Sequence, residues 1–125
     1  MAFARKLLLL AALGGALGVM FGAFGAHALR NRLDPSQLAI WQTGVNYLFW
    51  HVLAALFAAR WADSGGGRPA LVAVALFLAG TLVFSGTLFA LALGGPRWFG
   101  AITPLGGLAL IAGWLALAVA AWRQK

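Results

Sequence analysis

Four long apolar stretches, free of Asp, Glu, Lys and Arg, alternate along the chain with short polar links. They cover residues 7–29, 38–59, 70–96 and 98–122. Each stretch is long enough to cross a hydrocarbon core, which takes about 20 helical residues. One charge at the centre of such a helix costs roughly 2.5–3.5 kcal/mol on insertion scales. The pattern therefore predicts an all-α fold, a four-transmembrane-helix bundle made of two helical hairpins.

The links fix where each helix is expected to begin. The predicted helices cover about residues 6–29, 35–61, 69–93 and 103–122, within one integral membrane domain of residues 1–125. Asp34, followed by proline and then by Gln37 at the third helical position, is typical of a capping box. Thr103 with Pro104 repeats this device before the fourth helix. The glycine-rich link 62–68 predicts a flexible turn.

The first helix carries a stripe of small residues on one face. At about 100° per residue, five of them lie within roughly 80° of one another. They are Ala11, Gly14, Gly18, Gly22 and Gly25. In water this glycine content would weaken a helix, by about 1 kcal/mol per residue against alanine. In lipid the backbone must hydrogen-bond to itself, so the helix forms, and the stripe lets a neighbouring helix approach closely.

Composition strengthens the membrane interpretation. Hydrophobic residues make up 63% of the chain. It has nine Lys and Arg residues and only two acidic residues, which gives a net charge of +7. The basic residues stand singly or in pairs at the ends of apolar runs, so they form no continuous face for nucleic acid, and no nucleic-acid partner is expected. Headgroup anchoring explains their positions better. The absence of cysteine excludes disulfides and thiolate metal sites.

The distribution of basic residues predicts the orientation in the membrane. Six of them belong to the N-terminus, the second link and the C-terminus: Arg5, Lys6, Arg60, Arg68, Arg123 and Lys125. Three belong to the first and third links: Arg30, Arg32 and Arg97. Because cytoplasmic loops are enriched in Lys and Arg, this asymmetry predicts that both termini lie on the cytoplasmic side.

The first apolar run also has features of a secretory signal. It follows Arg5 and Lys6 and ends at Ala26, His27 and Ala28, which has the form of an A-x-A cleavage site. The run is longer than a usual signal core, so we expect a retained first helix.

Several short motifs carry a family resemblance. They are GAFGAH at residues 22–27, QTG at 42–44, FSGTL at 84–88, ITPLGG at 102–107 and AGW at 112–114. In this order they resemble the domain of unknown function 423 family, the YgdD-like and transmembrane protein 256-like small membrane proteins. The resemblance covers nearly the whole chain. It implies four helices in a bacterial inner membrane or a mitochondrial setting, and it implies no established activity.

Most polar residues embedded in the predicted spans fall in the half of the bilayer away from the cytoplasm. The candidate polar cluster or ligand-binding set consists of His27, Gln42, Thr43, Asn46, Tyr47, His51, Ser85 and Thr87. One interpretation is interhelical hydrogen bonding, at about 0.6–2 kcal/mol per bond in membranes. The other is an outward-facing pocket for a lipid headgroup, a quinone-like molecule or a small solute. His51 is the best single candidate, because an ionisable group near the midplane suggests function.

Metal, haem and catalytic sites find little support in the sequence. The two histidines differ in predicted depth by about 10–15 Å at 1.5 Å per residue, which is unsuitable for two axial ligands. Asp34 and Asp63 are the only acids, the first in a cap and the second in a turn. No nucleophile–base–acid set is visible. We therefore expect no metal, no cofactor and no catalytic residues.

The sequence thus predicts a multi-pass protein of the bacterial inner (plasma) membrane with a non-enzymatic, structural or accessory role. Its expected partners are membrane lipids, and either a second copy of the chain or another membrane protein. The alternative is an oligomeric transporter or channel for a small solute or a lipid. The almost purely apolar inner half of the spans disfavours a continuous polar path.

Overall fold

The computed structural model describes residues 2–124 and is built of helices. The four α-helices are α1 (Ala2–His27), α2 (Pro35–Trp61), α3 (Gly67–Ala92) and α4 (Phe99–Arg123). A short π-helical turn, Ala62–Gly66, joins α2 to α3. Residues 2–124 contain no β-strand. The predicted all-α class is confirmed.

The first turn of α2 is set by its local sequence. The Asp34 carboxylate accepts a hydrogen bond of 2.8 Å from the Gln37 backbone N–H, and the Gln37 side chain accepts one of 3.0 Å from the Asp34 N–H. This is the predicted capping box. The Ser36 hydroxyl adds a bond of 2.7 Å to the same carboxylate. The Gln37 N–H first, and the Ser36 hydroxyl second, hold the pKa of Asp34 below its usual value.

The link between α2 and α3 is a kinked turn. Helical hydrogen bonding continues through Ala62–Gly66, although Ser64 and Gly65 depart from helical backbone angles. Gly65 has a φ of 132°, a conformation that only glycine adopts readily. Among residues 2–124, three helical stretches are consequently long and apolar enough to cross a membrane: Ala2–His27, Pro35–Ala92 and Phe99–Arg123. The second has 58 residues and is bent at the glycine-rich turn.

Helices that follow one another in the chain pack together. The Ser85 hydroxyl on α3 donates to the Gly44 carbonyl on α2 over 2.7 Å, which shows that the 58-residue stretch folds back on itself. The contact between α1 and α3 is much smaller than those of α1 with α2, α2 with α3, and α3 with α4. Trp61 donates to the Gln124 side chain over 3.2 Å. The end of α4 therefore lies beside the turn between α2 and α3.

The small-residue stripe of α1 faces α2. Ala11 is fully buried, and a β-carbon added at Gly25 would lie 2.6 Å from the indole of Trp41. That close approach lets Trp41 Nε1 donate to the Phe21 carbonyl over 2.9 Å. The predicted close packing along this stripe is confirmed, and its partner is α2.

The start of α4 differs from the prediction. The helix begins at Phe99, so Pro104 lies inside it rather than at its first position. Before Thr103 the chain already forms helical turns. Backbone hydrogen bonds join residues three positions apart, such as the 3.1 Å bond from the Phe99 N–H to the Pro96 carbonyl. Thr103 has no capping role, and its hydroxyl lies 3.0 Å from the Phe99 carbonyl. Pro104 costs the helix one hydrogen bond, at the Gly100 carbonyl.

Candidate functional site

His51 lies halfway along α2 and is 5% exposed. Its Nε2 accepts a hydrogen bond of 3.1 Å from Trp114 Nε1 on α4, and its Nδ1 lies 2.7 Å from the Tyr47 carbonyl. An indole N–H can only donate, and a carbonyl can only accept. The imidazole is therefore neutral and carries its proton on Nδ1. Both ring nitrogens are used.

Aromatic rings enclose this imidazole. Tyr47 stacks on it, with ring centroids 5.7 Å apart and planes 19° apart. Phe77, fully buried on α3, lies 5.6 Å from it and meets Trp114 edge-on at 4.9 Å. A β-carbon at Gly113 would lie 2.7 Å from the Phe77 ring. Because Gly113 has no side chain, the Phe77 ring packs closely against α4 there. The next residue, Trp114, then lies beside His51.

This arrangement is a structural junction of three helices. Since neither nitrogen of His51 has a free lone pair, the ring as arranged cannot bind a metal or haem iron. A second proton on the ring would set a His51 N–H against the Trp114 N–H at 3.1 Å, two donors facing each other. In residues 2–124, no group of three or more His, Cys, Asp and Glu could hold a metal ion.

Two of the other predicted residues connect helices. The buried Ser85 hydroxyl bonds to the Gly44 carbonyl, as described above. The Thr87 and Thr103 hydroxyls lie 2.7 Å apart, so one donates to the other between α3 and α4, and the accepting hydroxyl donates to a carbonyl of its own helix. Ser85 therefore ties α3 to α2, and Thr87 ties α3 to α4.

The remaining predicted residues lie on exposed or partly exposed surfaces. The Gln42 amide donates to Asn46 Oδ1 over 2.8 Å, one turn along α2. The Thr43 hydroxyl donates to the Ala39 carbonyl of the same helix over 2.9 Å. His27 is exposed at the end of α1. The structure thus brings His51 and Tyr47 together, joins Gln42 to Asn46, and leaves His27, Thr43, Ser85 and Thr87 at separate places.

Sequence reasoning missed two members of these networks, Trp114 and Thr103. The sequence predicts Thr103 as a helix cap, and Trp114 is absent from the predicted polar cluster. A signal for Trp114 was available in its position: it lies eight residues inside the end of the apolar stretch 98–122. An indole N–H at that depth has no headgroup within reach and needs an acceptor in the protein.

An apolar groove of about 660 Å³ opens between α1 and α3, over the surface of α2. Leu13 and Leu17 of α1, Leu48 of α2 and Leu82 of α3 are among its walls. Thr81 also lines it, and the buried Thr81 hydroxyl has no hydrogen-bond partner in the described part of the chain. The groove exists because α1 contacts α3 so little.

Known proteins similar to this chain identify its family. The family model described as protein of unknown function (DUF423) matches residues 21–107. The chain belongs to this family. The DUF423 segment takes in His51, Ser85, Thr87 and Thr103, whereas Trp114 lies beyond it. The resemblance seen in the sequence motifs is confirmed.

Bacterial membrane proteins of similar length align with almost the whole chain. The UPF0382 membrane protein YwdK of Bacillus subtilis is 39% identical over 94% of this chain and 96% of its own length. The UPF0382 inner membrane protein YgdD of Escherichia coli is 36% identical over 97% of this chain and 92% of its own length. These relatives and the long apolar helices confirm the prediction of a multi-pass integral membrane protein. A location in the bacterial inner membrane is consistent with both. No solved structure matches the chain.

Proposed function

We propose that this DUF423 protein is a non-enzymatic, structural or accessory component of the membrane. The observation that carries the proposal is the state of His51, the best candidate for chemistry. Both of its nitrogens are bonded within the protein, one to Trp114 and one to the Tyr47 carbonyl. The embedded hydroxyls of Ser85 and Thr87 likewise form hydrogen bonds between helices. Polar groups used in this way fix the pairing of helices and offer little to a substrate.

We further propose four membrane crossings with both termini on the cytoplasmic side. A straight helix of 58 residues would be about 87 Å long, far beyond a hydrocarbon core of about 30 Å. The bond between Ser85 and Gly44 supports two crossings within that stretch, because it sets α3 antiparallel to α2. The six basic residues of the termini and the second link support the cytoplasmic assignment of that end.

The absence of cysteine makes this topology directly measurable. Single cysteines at Asn31→Cys and Ser64→Cys occupy exposed positions in the first and second links. In intact cells a membrane-impermeant maleimide should label N31C, whereas S64C should react only after the membrane is permeabilised. Labelling of both variants in intact cells would contradict four crossings. The reverse pattern would contradict the proposed orientation.

The role itself is tested by native mass spectrometry of the protein released from lipid nanodiscs. We expect to detect the chain, in one or more copies, with lipids and no soluble small molecule at fixed stoichiometry. The partners proposed are membrane lipids, with a second copy or another membrane protein; nucleic acid and metal are not expected. A soluble compound retained by the wild type and lost in His51→Gln would overturn the structural role.

A transporter of lipid is the second candidate, and the groove between α1 and α3 is the observation that favours it. Its walls are apolar leucines, so they suit a hydrocarbon chain better than a solute. Reconstituted vesicles carrying a fluorescent phospholipid in one leaflet would reveal such an activity. Lipid transfer that disappears when Leu82 is replaced by Trp, a bulkier residue at the groove wall, would favour the transporter over the structural component.

A further inference from the structure

A polar crevice of about 430 Å³ lies where the beginning of α1 meets the end of α2. Its apolar wall includes Leu8 and Ala59, and its charged residues are Arg5, Arg60 and Asp63. This is a different surface from the junction around His51, which lies at the middle of α2.

The charges of the crevice do not balance. Two guanidinium groups share it with one carboxylate, and Asp63 forms no ion pair with either arginine within 4 Å. Guanidinium groups are planar, multiple donors whose geometry matches the oxygens of phosphate. The crevice therefore has an excess of positive charge and unused donors suited to a phosphate group.

The start of α1 adds to this positive potential. The first N–H groups of a helix have no acceptor within the helix, and they carry the positive end of its dipole. The first turn of α1 has no acidic residue, and Arg5 stands there beside Lys6. Cations at this end of a helix are unfavourable, and a bound anion relieves the repulsion.

The position of the crevice relative to the membrane indicates that the anion is a lipid headgroup. Arg5 precedes the charge-free stretch 7–29, and Arg60 directly follows the stretch 38–59. Both guanidinium groups therefore lie at the level of lipid headgroups, whereas Leu8 and Ala59 extend the crevice towards the hydrocarbon. A phospholipid presents this same order, with a phosphate above and acyl chains below.

We propose that Arg5 and Arg60 bind the phosphate of an anionic phospholipid, with its acyl chain along the seam between α1 and α2. The inference rests on the proposed membrane-spanning arrangement, which sets this end of the helices at the membrane surface. It does not depend on which side of the membrane that end faces. Asp63 limits the affinity, since its carboxylate repels the phosphate.

The test measures lipid retention by native mass spectrometry, with phosphatidylglycerol or phosphatidylcholine added to the detergent-purified chain. The wild type should keep phosphatidylglycerol through delipidation. The double variant Arg5→Gln/Arg60→Gln should weaken its binding by about tenfold. Arg30→Gln/Arg32→Gln, which removes the same charge from the first link, should change binding by less than about twofold. Asp63→Asn should strengthen binding, a gain that misfolding cannot produce.

Other outcomes overturn the proposal. Equal losses in the two double variants would mean general attraction to charge, with no site. Equal retention of phosphatidylcholine would exclude anion selectivity. If inorganic phosphate alone raised the melting temperature of the wild type, but not of the Arg5→Gln/Arg60→Gln variant, the ligand would be free phosphate rather than lipid. A soluble small molecule in the same spectra would overturn the structural role while leaving this site intact, so the two failures can be told apart.

Discussion

Trp114 Nε1 donates a hydrogen bond of 3.1 Å to His51 Nε2, and this bond joins α4 to α2 beside α3. The two residues are 63 positions apart in the chain. The bond decides the chemistry of the imidazole, because it occupies the nitrogen that would otherwise be free. It also explains why an ionisable residue is held in the apolar middle of the protein: it works there as a neutral acceptor.

Replacement of Trp114 by Phe should destabilise the protein. The variant removes the donor and leaves Nε2 of His51 buried without a partner, at a cost of about 1–3 kcal/mol in the free energy of unfolding. Reversible unfolding in mixed detergent micelles measures this energy. Trp122→Phe is the control, since Trp122 is 90% exposed and should tolerate the change.

A double-mutant cycle isolates the bond itself. Trp114→Phe and His51→Phe should be non-additive, with a coupling energy of about 0.6–1.7 kcal/mol, the range for hydrogen bonds between membrane helices. Additive effects of the two replacements would show that the contact contributes packing alone.

Two adjacent glycines of α4 should respond very differently to alanine. A β-carbon at Gly106 would lie 2.5 Å from the backbone nitrogen of Phe84, which cannot move aside without shifting α3. At Gly107 the nearest atom is 3.7 Å away, an ordinary contact. Gly106→Ala should therefore lower the free energy of unfolding by about 1–3 kcal/mol. Gly107→Ala should leave it unchanged or raise it, by up to about 1 kcal/mol, because alanine favours the helix.

Equal effects at the two positions would contradict the close approach of α3 and α4. Unfolding of both variants in the same micelles makes the comparison direct. The pair is matched in residue type, helix and chain position, so the difference reports the packing of Gly106 against Phe84.

The Ser85 hydroxyl should contribute measurably to the pairing of α2 and α3. Its bond of 2.7 Å to the Gly44 carbonyl is buried between the two helices. Ser85→Ala should cost about 0.6–1.7 kcal/mol in the free energy of unfolding. Ser64→Ala is the control, because Ser64 is exposed and its two backbone contacts are long, at 3.4 Å. Indistinguishable stabilities of these two alanine variants would refute the contribution.

The first turn of α2 should loosen in acid. Folding lowers the pKa of Asp34, chiefly through the Gln37 N–H, so the folded state favours the charged carboxylate. The stabilisation is complete above the unfolded pKa of an aspartate, about 3.9, and is lost as the pH falls through the lower folded value. Amide hydrogen exchange at Gln37, corrected for intrinsic rates, should accelerate there relative to α2 interior amides.

Asp34→Asn provides the control for this titration. Asparagine also caps helices, but it does not ionise in this range. The variant should keep a protected first turn and lose the acid response. Persistence of the response in Asp34→Asn would assign it to another group.

The sequence alone determined the features that depend on neighbours in the chain or on the solvent. Charge-free stretches as long as a bilayer is thick require membrane helices, whatever their partners. The capping box of Asp34 and Gln37 spans one turn, so its residues meet as soon as α2 forms. The small-residue stripe of α1 predicted a closely packed face, because helical geometry alone places those residues together.

Only the tertiary structure decided which polar groups meet and what is left for a ligand. The partner of His51 depends on how far Phe77 enters at Gly113, a packing relation between helices that no local pattern encodes. The sequence predicts Thr103 as a helix cap, but helical turns that begin before it leave its hydroxyl to contact Thr87 on α3. The crevice of Arg5 and Arg60 likewise needs α1 and α2 side by side, because charges far apart in the chain converge only when the helices pack.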